Sequence, residues 1–264
     1  MKKLLPILLL PLFLISARSN DGYRRLPSDA FGTGEKITYR VHYGFVTAGE
    51  AELRIDKKVH TINDRPCYKI DIKGRTTGLA DKLYGVKDNW GSYMDTAAVV
   101  PHQFYRYIRE GNYRKNEIVH FKQLSRKAVV STLSKNGREV ESSEVYEVPV
   151  YVQDLVSGYY YLRTLDFTRI RPGDVIKVDA FFDKEVYDFK VRFIGREKVK
   201  TELGRLDALV VSPMLPENSL FKGENAVKMW LSDDQHKIPL KIKADMFIGA
   251  IEVDIRDFDK GKRK

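Results

Sequence analysis

The chain has 264 residues, of which 43% are hydrophobic, and it carries a formal net charge of +10 at pH 7. This hydrophobic fraction, with 13 Phe and 15 Tyr, excludes general disorder and is ample for a core. The single cysteine excludes an internal disulfide, and the five histidines show no metal-binding spacing, so we expect neither a metal nor another cofactor.

The first 19 residues have the pattern of a secretory signal peptide. Lys2 and Lys3 form a positive start, Leu4–Ile15 is apolar, and Ala17–Ser19 offers small residues where a signal peptidase cuts. The apolar run is too short for a membrane span, which needs roughly twenty residues. The junction has no cysteine for a lipid anchor. We therefore expect cleavage after Ser19, an exported protein that is not a lipoprotein, and no transmembrane segment after cleavage.

Alternation of apolar and polar side chains begins near Glu35 and predicts β-strands. The first predicted hairpin puts these apolar residues on one face: Ile37, Tyr39, Val41, Tyr43, Phe45, Ala51, Leu53 and Ile55. The same period returns in 68–72, 187–193, 238–242 and 247–255. Strands with one apolar and one polar face are typical of antiparallel sheets. The predicted class is all-β, a curled antiparallel meander that forms an open barrel or a sandwich.

The most concentrated aromatic and basic stretch is PHQFYRYIREGNYRKNE, residues 101–117. Alternation places Tyr105 and Tyr107 on one face of a strand and Arg106 on the other, and only one face can be the ligand face. Aromatic rings stack on sugars, and guanidinium groups pair with phosphate or carboxylate. An ordinary strand with solvated charges is the alternative. The candidate ligand-binding residues here are Tyr105, Arg106, Tyr107, Arg109, Tyr113 and Arg114.

The stretch DLVSGYYYLRTLDF breaks the strand pattern and predicts a helix over 154–166. Its apolar residues at helical spacing are Leu155, Tyr159, Leu162 and Leu165. Asp154 is expected to cap the first turn. The stripe indicates core packing, and tyrosines lining a ligand site are the alternative. The helix joins two β-rich halves of about 30–150 and 168–260, which form a single domain over 20–264 or two lobes.

The segment MWLSDDQHKIPL, residues 229–240, holds a serine, two aspartates and a histidine between Ser232 and His236. These are the residue types of a hydrolytic triad, but alternating strands flank them, so we predict a hairpin loop. A triad needs Ser–His and His–Asp hydrogen bonds at once, and the chain has no G-x-S-x-G motif. We therefore predict no catalytic residue. Trp230 is a candidate anchor for a core or a ligand site.

Four stretches together resemble a known family: GEKITYRVHYGFVTAGEAEL, GSYMDTAAVVPHQFYRYIREGNY, QDLVSGYYYLR and MWLSDDQHKIPLKIKADMFIGAIEVDI. In this order, over roughly 34–258, they look like the domain-of-unknown-function family 3108 (DUF3108). The resemblance implies a protein exported to the periplasm of a Gram-negative bacterium, soluble or peripheral to the envelope. It also implies a YmcC-like all-β fold, and it carries over no catalytic residues.

Three hypotheses about function remain open. The first is a non-catalytic envelope protein that binds a surface glycan, lipopolysaccharide or another anionic envelope component, and it predicts an aromatic and basic groove. The second is a periplasmic carrier or chaperone for a lipid or acyl chain, which predicts an apolar cavity open to solvent. The third is a hydrolase, which requires convergent acids or a Ser/His pair in a cleft. Nucleic acid is not expected as a partner, because the export signal argues against it and basic charge alone is not specific.

Overall fold

The computed structural model describes residues 22–26, 28–214, 226–247 and 249–261. The predicted signal peptide, residues 1–19, lies outside the described residues. The described strands are β1 Lys36–Tyr43, β2 Val46–Ile62, β3 Arg65–Thr76, β4 Lys87–Asp95, β5 Pro101–Glu110, β6 Tyr113–Lys122, β7 Lys127–Leu133, β8 Val140–Glu147, β9 Val175–Phe182, β10 Glu185–Thr201, β11 Gly204–Pro213, β12 Val227–Ser232, β13 Pro239–Asp245 and β14 Ala250–Asp259. The described helices are α1 Gly78–Leu83 and α2 Leu155–Arg163.

All of these strands belong to one antiparallel sheet, which confirms the predicted all-β class. The order across the sheet is β8-β7-β6-β5-β4-β3-β2-β1-β14-β13-β12-β11-β10-β9. Consecutive strands are neighbours except at β8 and β9, and β1 also pairs with β14, so the first and last strands meet in the middle. The two edges, β8 and β9, are not paired with each other, and the sheet is therefore an open meander.

The sheet curls because one face of each strand is apolar and must be buried. The inner faces of both halves contribute to a large core that includes Ile37, Ile70, Phe121, Phe181 and Leu240. Across the open side, the ring of Trp90 on β4 stacks on Phe182 at the end of β9, with 5.8 Å between ring centroids. The curl brings distant parts of the chain together without a hydrogen-bonded ladder between the two edges.

Helix α2 begins at the predicted cap. The Asp154 carboxylate accepts hydrogen bonds from the backbone N–H groups of Val156 (2.8 Å) and Ser157 (2.7 Å), and the Ser157 hydroxyl accepts one from the Asp154 N–H in return. The other carboxylate oxygen accepts a hydrogen bond from Ser92 Oγ on β4 at 2.7 Å. Burial raises the pKa of Asp154 to about 6, although these donors act in the opposite direction. The cap therefore fixes the helix to the inner face of the sheet.

The buried face of α2 matches the predicted stripe in part, since Leu162 is buried and Tyr159 and Leu165 pack against the same core cluster. Leu155 was expected to face the core but is 44% exposed, and the helix ends at Arg163 rather than at 166. Its buried residues are Val156, Ser157, Tyr160, Leu162 and Arg163. The reason is a polar partner: Tyr160 and Arg163 both bind the carboxylate of Glu35, which is completely buried. This ion pair and Leu162 together occupy the buried side of the helix.

Candidate ligand-binding groove

Three neighbouring strands form a groove on the outer face of the sheet. In the β3–β4–β5 ladder, Lys73 lies opposite Asn89, and Asn89 lies opposite Tyr107. One row further, Arg75 lies opposite Lys87. The groove has a volume of about 380 Å³ and is lined by Lys73, Gly74, Arg75, Lys87, Asp88, Asn89, Tyr107 and Arg109. Two predicted residues, Tyr107 and Arg109, thus meet two lysines and an arginine that the prediction did not include.

The groove is strongly cationic. Arg75 donates from Nε to Glu50 Oε1 at 2.6 Å, so part of its charge is compensated. Among the described residues, no carboxylate lies within ion-pair distance of Lys73, Lys87 or Arg109. The carboxylate in the lining belongs to Asp88, which accepts a hydrogen bond from the Arg109 backbone N–H at 2.9 Å. The balance of charge favours an anion.

Tyr105 supports the groove from beside it. A Cβ atom on Gly91 would overlap the Tyr105 ring, so the glycine on β4 allows the ring to lie flat across the neighbouring strand. There Tyr105 donates its hydroxyl hydrogen bond to Asp71 Oδ1 at 2.6 Å, and its ring lies 5.8 Å from that of Tyr107. Burial and this bond raise the pKa of Tyr105. With 6% exposure, Tyr105 holds Tyr107 in place and is not itself a stacking platform.

Arg106 lies inside the sheet, which corrects its place among the predicted ligand-binding residues. It is 3% exposed, with its Nε 3.0 Å from Glu117 Oε1 and its Nη2 2.6 Å from Asp183 Oδ1. The turn after β9 is thereby tied to β5 and β6. Hydrogen bonds from Lys115 and Arg106 lower the pKa of Asp183 to about 2. Arg106 thus links β5 and β6 to the turn after β9, and the face of β5 that lines the groove is the one that carries Tyr107 and Arg109.

Tyr113 and Arg114 follow the turn between β5 and β6, outside the groove lining. Tyr113 is 52% exposed. Arg114 is opposite Arg109 in the ladder, but its Nη1 donates to the carbonyl oxygens of Gly111 and Tyr113, each at 2.7 Å. These contacts stabilise the turn beside the groove.

Trp230 is part of the core and does not line the groove. It lies on β12, separated from β5 in the sheet order by β4, β3, β2, β1, β14 and β13. Its side chain is 9% exposed, and its Nε1 donates to Glu197 Oε1 at 2.6 Å. Of the two predicted roles for Trp230, the geometry therefore matches the core anchor.

The triad-like residues form the loop between β12 and β13, as predicted. Ser232 Oγ donates to Asp234 Oδ1 at 2.7 Å and accepts from the Ile238 N–H at 3.0 Å. The same Asp234 oxygen accepts from the His236 N–H. The His236 ring is directed to the carbonyl oxygen of Ala30, with Nδ1 at 3.3 Å. The serine hydroxyl is used to close the turn rather than paired with the imidazole.

A second pocket lies between α2 and strands β9–β12, and Tyr159 of the predicted helix is part of its lining. It has a volume of about 140 Å³, and most of its lining is apolar: Gln153, Asp154, Leu155, Gly158, Tyr159, Leu162, Val178, Ala180, Phe189, Val191, Val211, Pro213 and Met229. Two buried polar atoms in this lining, Gln153 Oε1 and the Tyr159 hydroxyl, have no hydrogen-bond partner among the described residues. Period-two alternation placed Phe189 and Val191 on the apolar face of a strand, but no sequence signal placed them opposite α2.

Across the described ranges, no three His, Cys, Asp or Glu side chains come together in a way that would hold a metal ion. No helix in this part of the chain combines the length and the apolar character needed to cross a membrane.

Comparison with known proteins gives a family and a fold. The family model described as "Protein of unknown function (DUF3108)" matches residues 38–256. No curated protein matches the chain. A solved β-barrel-like protein of the domain of unknown function DUF1849, from Brucella abortus, is 9% identical, with 88% of this chain and 100% of that chain covered and a TM-score of 0.58. At this identity the likeness concerns the fold alone.

Two further solved structures cover similar lengths with lower TM-scores. One is a candidate exported protein with a YmcC-like fold from Bacteroides fragilis, which is 9% identical, with 90% of this chain and 100% of that chain covered and a TM-score of 0.32. The other is a candidate lipoprotein from Parabacteroides distasonis, 10% identical, with 90% and 99% covered and a TM-score of 0.30.

Proposed function

Since the chain belongs to the DUF3108 family, we propose that it is an exported, non-catalytic protein that binds an anionic component of the bacterial cell envelope. The signal-peptide pattern of residues 1–19 supports export. The observation that carries the binding proposal is the convergence of Lys73, Arg75, Lys87 and Arg109 around the ring of Tyr107. The ligand is a glycan or glycolipid that bears phosphate or carboxylate groups, such as lipopolysaccharide.

The chemistry of the groove fits a phosphorylated or acidic sugar. Arg109 offers a planar fork that pairs with two oxygens of a phosphate or carboxylate, and the lysines act as point charges. Tyr107 supplies an aromatic wall on which the apolar face of a sugar ring can stack. Single exposed ion pairs contribute only about 0.2–1 kcal/mol, so several cations must act on one ligand for useful affinity. Four of them surround this groove.

We expect the Lys87→Glu/Arg109→Glu variant to bind the phosphorylated oligosaccharide from deacylated lipopolysaccharide about ten to a hundred times more weakly than the wild type. Each substitution removes one attraction and adds one repulsion at the groove. Wild-type affinity should also fall as salt rises, since the screening length shrinks from about 10 Å at 0.1 M to about 3 Å at 1 M. Isothermal titration calorimetry at both salt concentrations measures both effects.

The matched control is Lys177→Glu/Lys200→Glu on β9 and β10, which replaces two exposed lysines outside the groove and makes the same total change of charge. It should bind the oligosaccharide as the wild type does. Equal affinity for the groove variant and the control would disprove the groove as the binding site. The absence of heat from folded wild type at low salt would disprove an anionic oligosaccharide as the ligand.

The apolar pocket beside α2 favours a second candidate function, that of a carrier for a lipid or acyl chain. Its volume of about 140 Å³ is close to that of an engineered cavity of about 150 Å³ that binds benzene. This volume admits the end of an acyl chain and not a whole lipid. Leu155, at the margin of the lining, is 44% exposed, so the pocket opens to the surface of the protein.

We expect Gly158→Leu to weaken the binding of a fluorescent fatty acid about tenfold or more, because the new side chain fills the pocket. A Cβ atom at Gly158 would meet only Gln153 Cβ, at 3.5 Å, so the helix itself tolerates the change. Gly158→Ala is the control, since it adds a single methyl group at the same position. A titration followed by fluorescence decides the question, and equal affinity in all three proteins would exclude this pocket as an acyl site.

A further inference from the structure

One end of the sheet carries a row of large apolar side chains in contact with solvent. Their exposed fractions are high: Phe45 107%, Leu83 86%, Leu79 72%, Phe247 64% and Tyr84 53%. They come from the β1–β2 turn, from α1 and the residue after it, and from the β13–β14 turn. We call these five residues the apolar rim. Helix α1 has no buried residue at all, so its leucines do not serve the core.

Backbone hydrogen bonds join the loops that carry the rim to one another and to the neighbouring strands. Gly44 N–H donates to Ala250 O at 3.1 Å and connects the β13–β14 hairpin to the β1–β2 turn. Thr77 N–H donates to Ala48 O at 3.0 Å and connects the start of α1 to β2. Gly111 N–H donates to Gly85 O at 2.8 Å and connects the segment after α1 to the β5–β6 turn. Exposed apolar patches of this kind are more often interaction sites than the result of chance exposure of single residues.

The cationic groove opens next to the rim. Arg75 is the penultimate residue of β3, directly before the segment that leads into α1, and Lys87 is the first residue of β4 after it. Lys82 lies in the last turn of α1, directly before Leu83. Proteins that lie on a bilayer carry exposed apolar side chains with cationic side chains next to them. The apolar groups enter the boundary between the headgroups and the acyl chains, and the cations bind lipid phosphates.

We propose that this end of the sheet docks on a lipid bilayer with anionic headgroups, with the apolar rim inserted and the groove facing the phosphates. The proposal rests on the anionic-ligand function of the groove and names the bilayer as the source of the anion. A second copy of the chain fits this surface less well, because the cations beside the rim would face those of the copy on a protein with a formal net charge of +10.

The test is co-sedimentation of the full mature chain with two kinds of vesicle, one of phosphatidylcholine and one of equal parts phosphatidylcholine and phosphatidylglycerol. The wild type should bind the mixed vesicles at least about tenfold more tightly. Phe45→Ser/Leu83→Ser should weaken that binding by a further factor of about ten or more, since two exposed apolar side chains no longer enter the boundary. Leu203→Ser, in the β10–β11 turn at the opposite end of the sheet, is the control and should bind as the wild type does.

The affinity of the same variants for the soluble deacylated oligosaccharide separates the two proposals. The rim variant should keep the wild-type affinity for the oligosaccharide, while the groove variant Lys87→Glu/Arg109→Glu loses it.

If the rim variant sediments with mixed vesicles as the wild type does, bilayer docking is disproved while the groove function stands. If analytical ultracentrifugation shows a wild-type dimer that the rim substitutions dissociate, the rim is a self-association surface and the bilayer proposal is disproved. An unchanged oligosaccharide affinity in the groove variant would instead disprove the proposed function.

Discussion

Replacement of Glu35 by alanine is expected to lower the free energy of unfolding by about 3–5 kcal/mol, because it leaves a buried guanidinium without its counterion. Arg163 is completely buried, and its Nη1 and Nη2 donate to the two carboxylate oxygens of Glu35, each at 2.7 Å. Tyr160 donates to the same carboxylate at 3.0 Å. Urea denaturation followed by circular dichroism gives the change in free energy.

The double variant Glu35→Met/Arg163→Met is the matched control. The double substitution replaces both charges with unbranched apolar side chains, and the replacement of a buried ion pair by apolar residues is often neutral or stabilising. The double variant should therefore be more stable than Glu35→Ala. A loss of less than about 1 kcal/mol in Glu35→Ala, which is the usual range of an exposed ion pair, would show that the pair is solvated and that α2 does not depend on it.

This ion pair connects three separate parts of the chain. Arg163 also donates from Nη2 to Ala30 O at 2.9 Å and from Nε to His236 O at 2.8 Å. The segment before β1, helix α2 and the β12–β13 loop are thus held by one side chain. The position of α2 defines the apolar pocket, so we expect variants of the pair to change fatty-acid binding before they change groove affinity.

Trp230→Ala is expected to cost about 3–5 kcal/mol of stability while the folded protein keeps its affinity for an anionic ligand. Truncation of a buried tryptophan removes its packing and leaves a cavity. It also leaves Glu197 without the indole donor that now lies 2.6 Å from its Oε1. Thermal denaturation and calorimetry with the deacylated oligosaccharide measure the two quantities in the same preparation.

Trp230→Phe separates packing from the hydrogen bond. It keeps most of the apolar volume and should lose less stability than the alanine variant. If Trp230→Ala were as stable as the wild type but bound the oligosaccharide at least tenfold more weakly, the tryptophan would belong to the ligand site, and its assignment to the core would be wrong.

The class of the fold could be predicted from local pattern. Alternation along residues 37–55 requires strands with one buried face, and adjacent strands of this kind form antiparallel sheets. The cap of α2 was equally readable, since Asp154 precedes the first helical residues and its carboxylate can accept from their free N–H groups. The loop at Ser232–His236 followed from turn-forming residues between two alternating segments. Each of these inferences depends on neighbours in sequence.

The sequence by itself thus determined the strands, the cap of α2 and the loop at Ser232–His236. Only the tertiary structure decided which side chains contact each other. Arg106 and Arg109 are three residues apart on β5, so they point to opposite faces. The curl then buried Arg106 against Glu117 and Asp183 and left Arg109 in the groove. Lys73 and Lys87 joined Arg109 only through the register of β3, β4 and β5. The rotation of α2 is tied to the Glu35–Arg163 pair, whose members are 128 positions apart in the sequence. Register and curvature arise from packing between distant segments, and no local pattern contains that information.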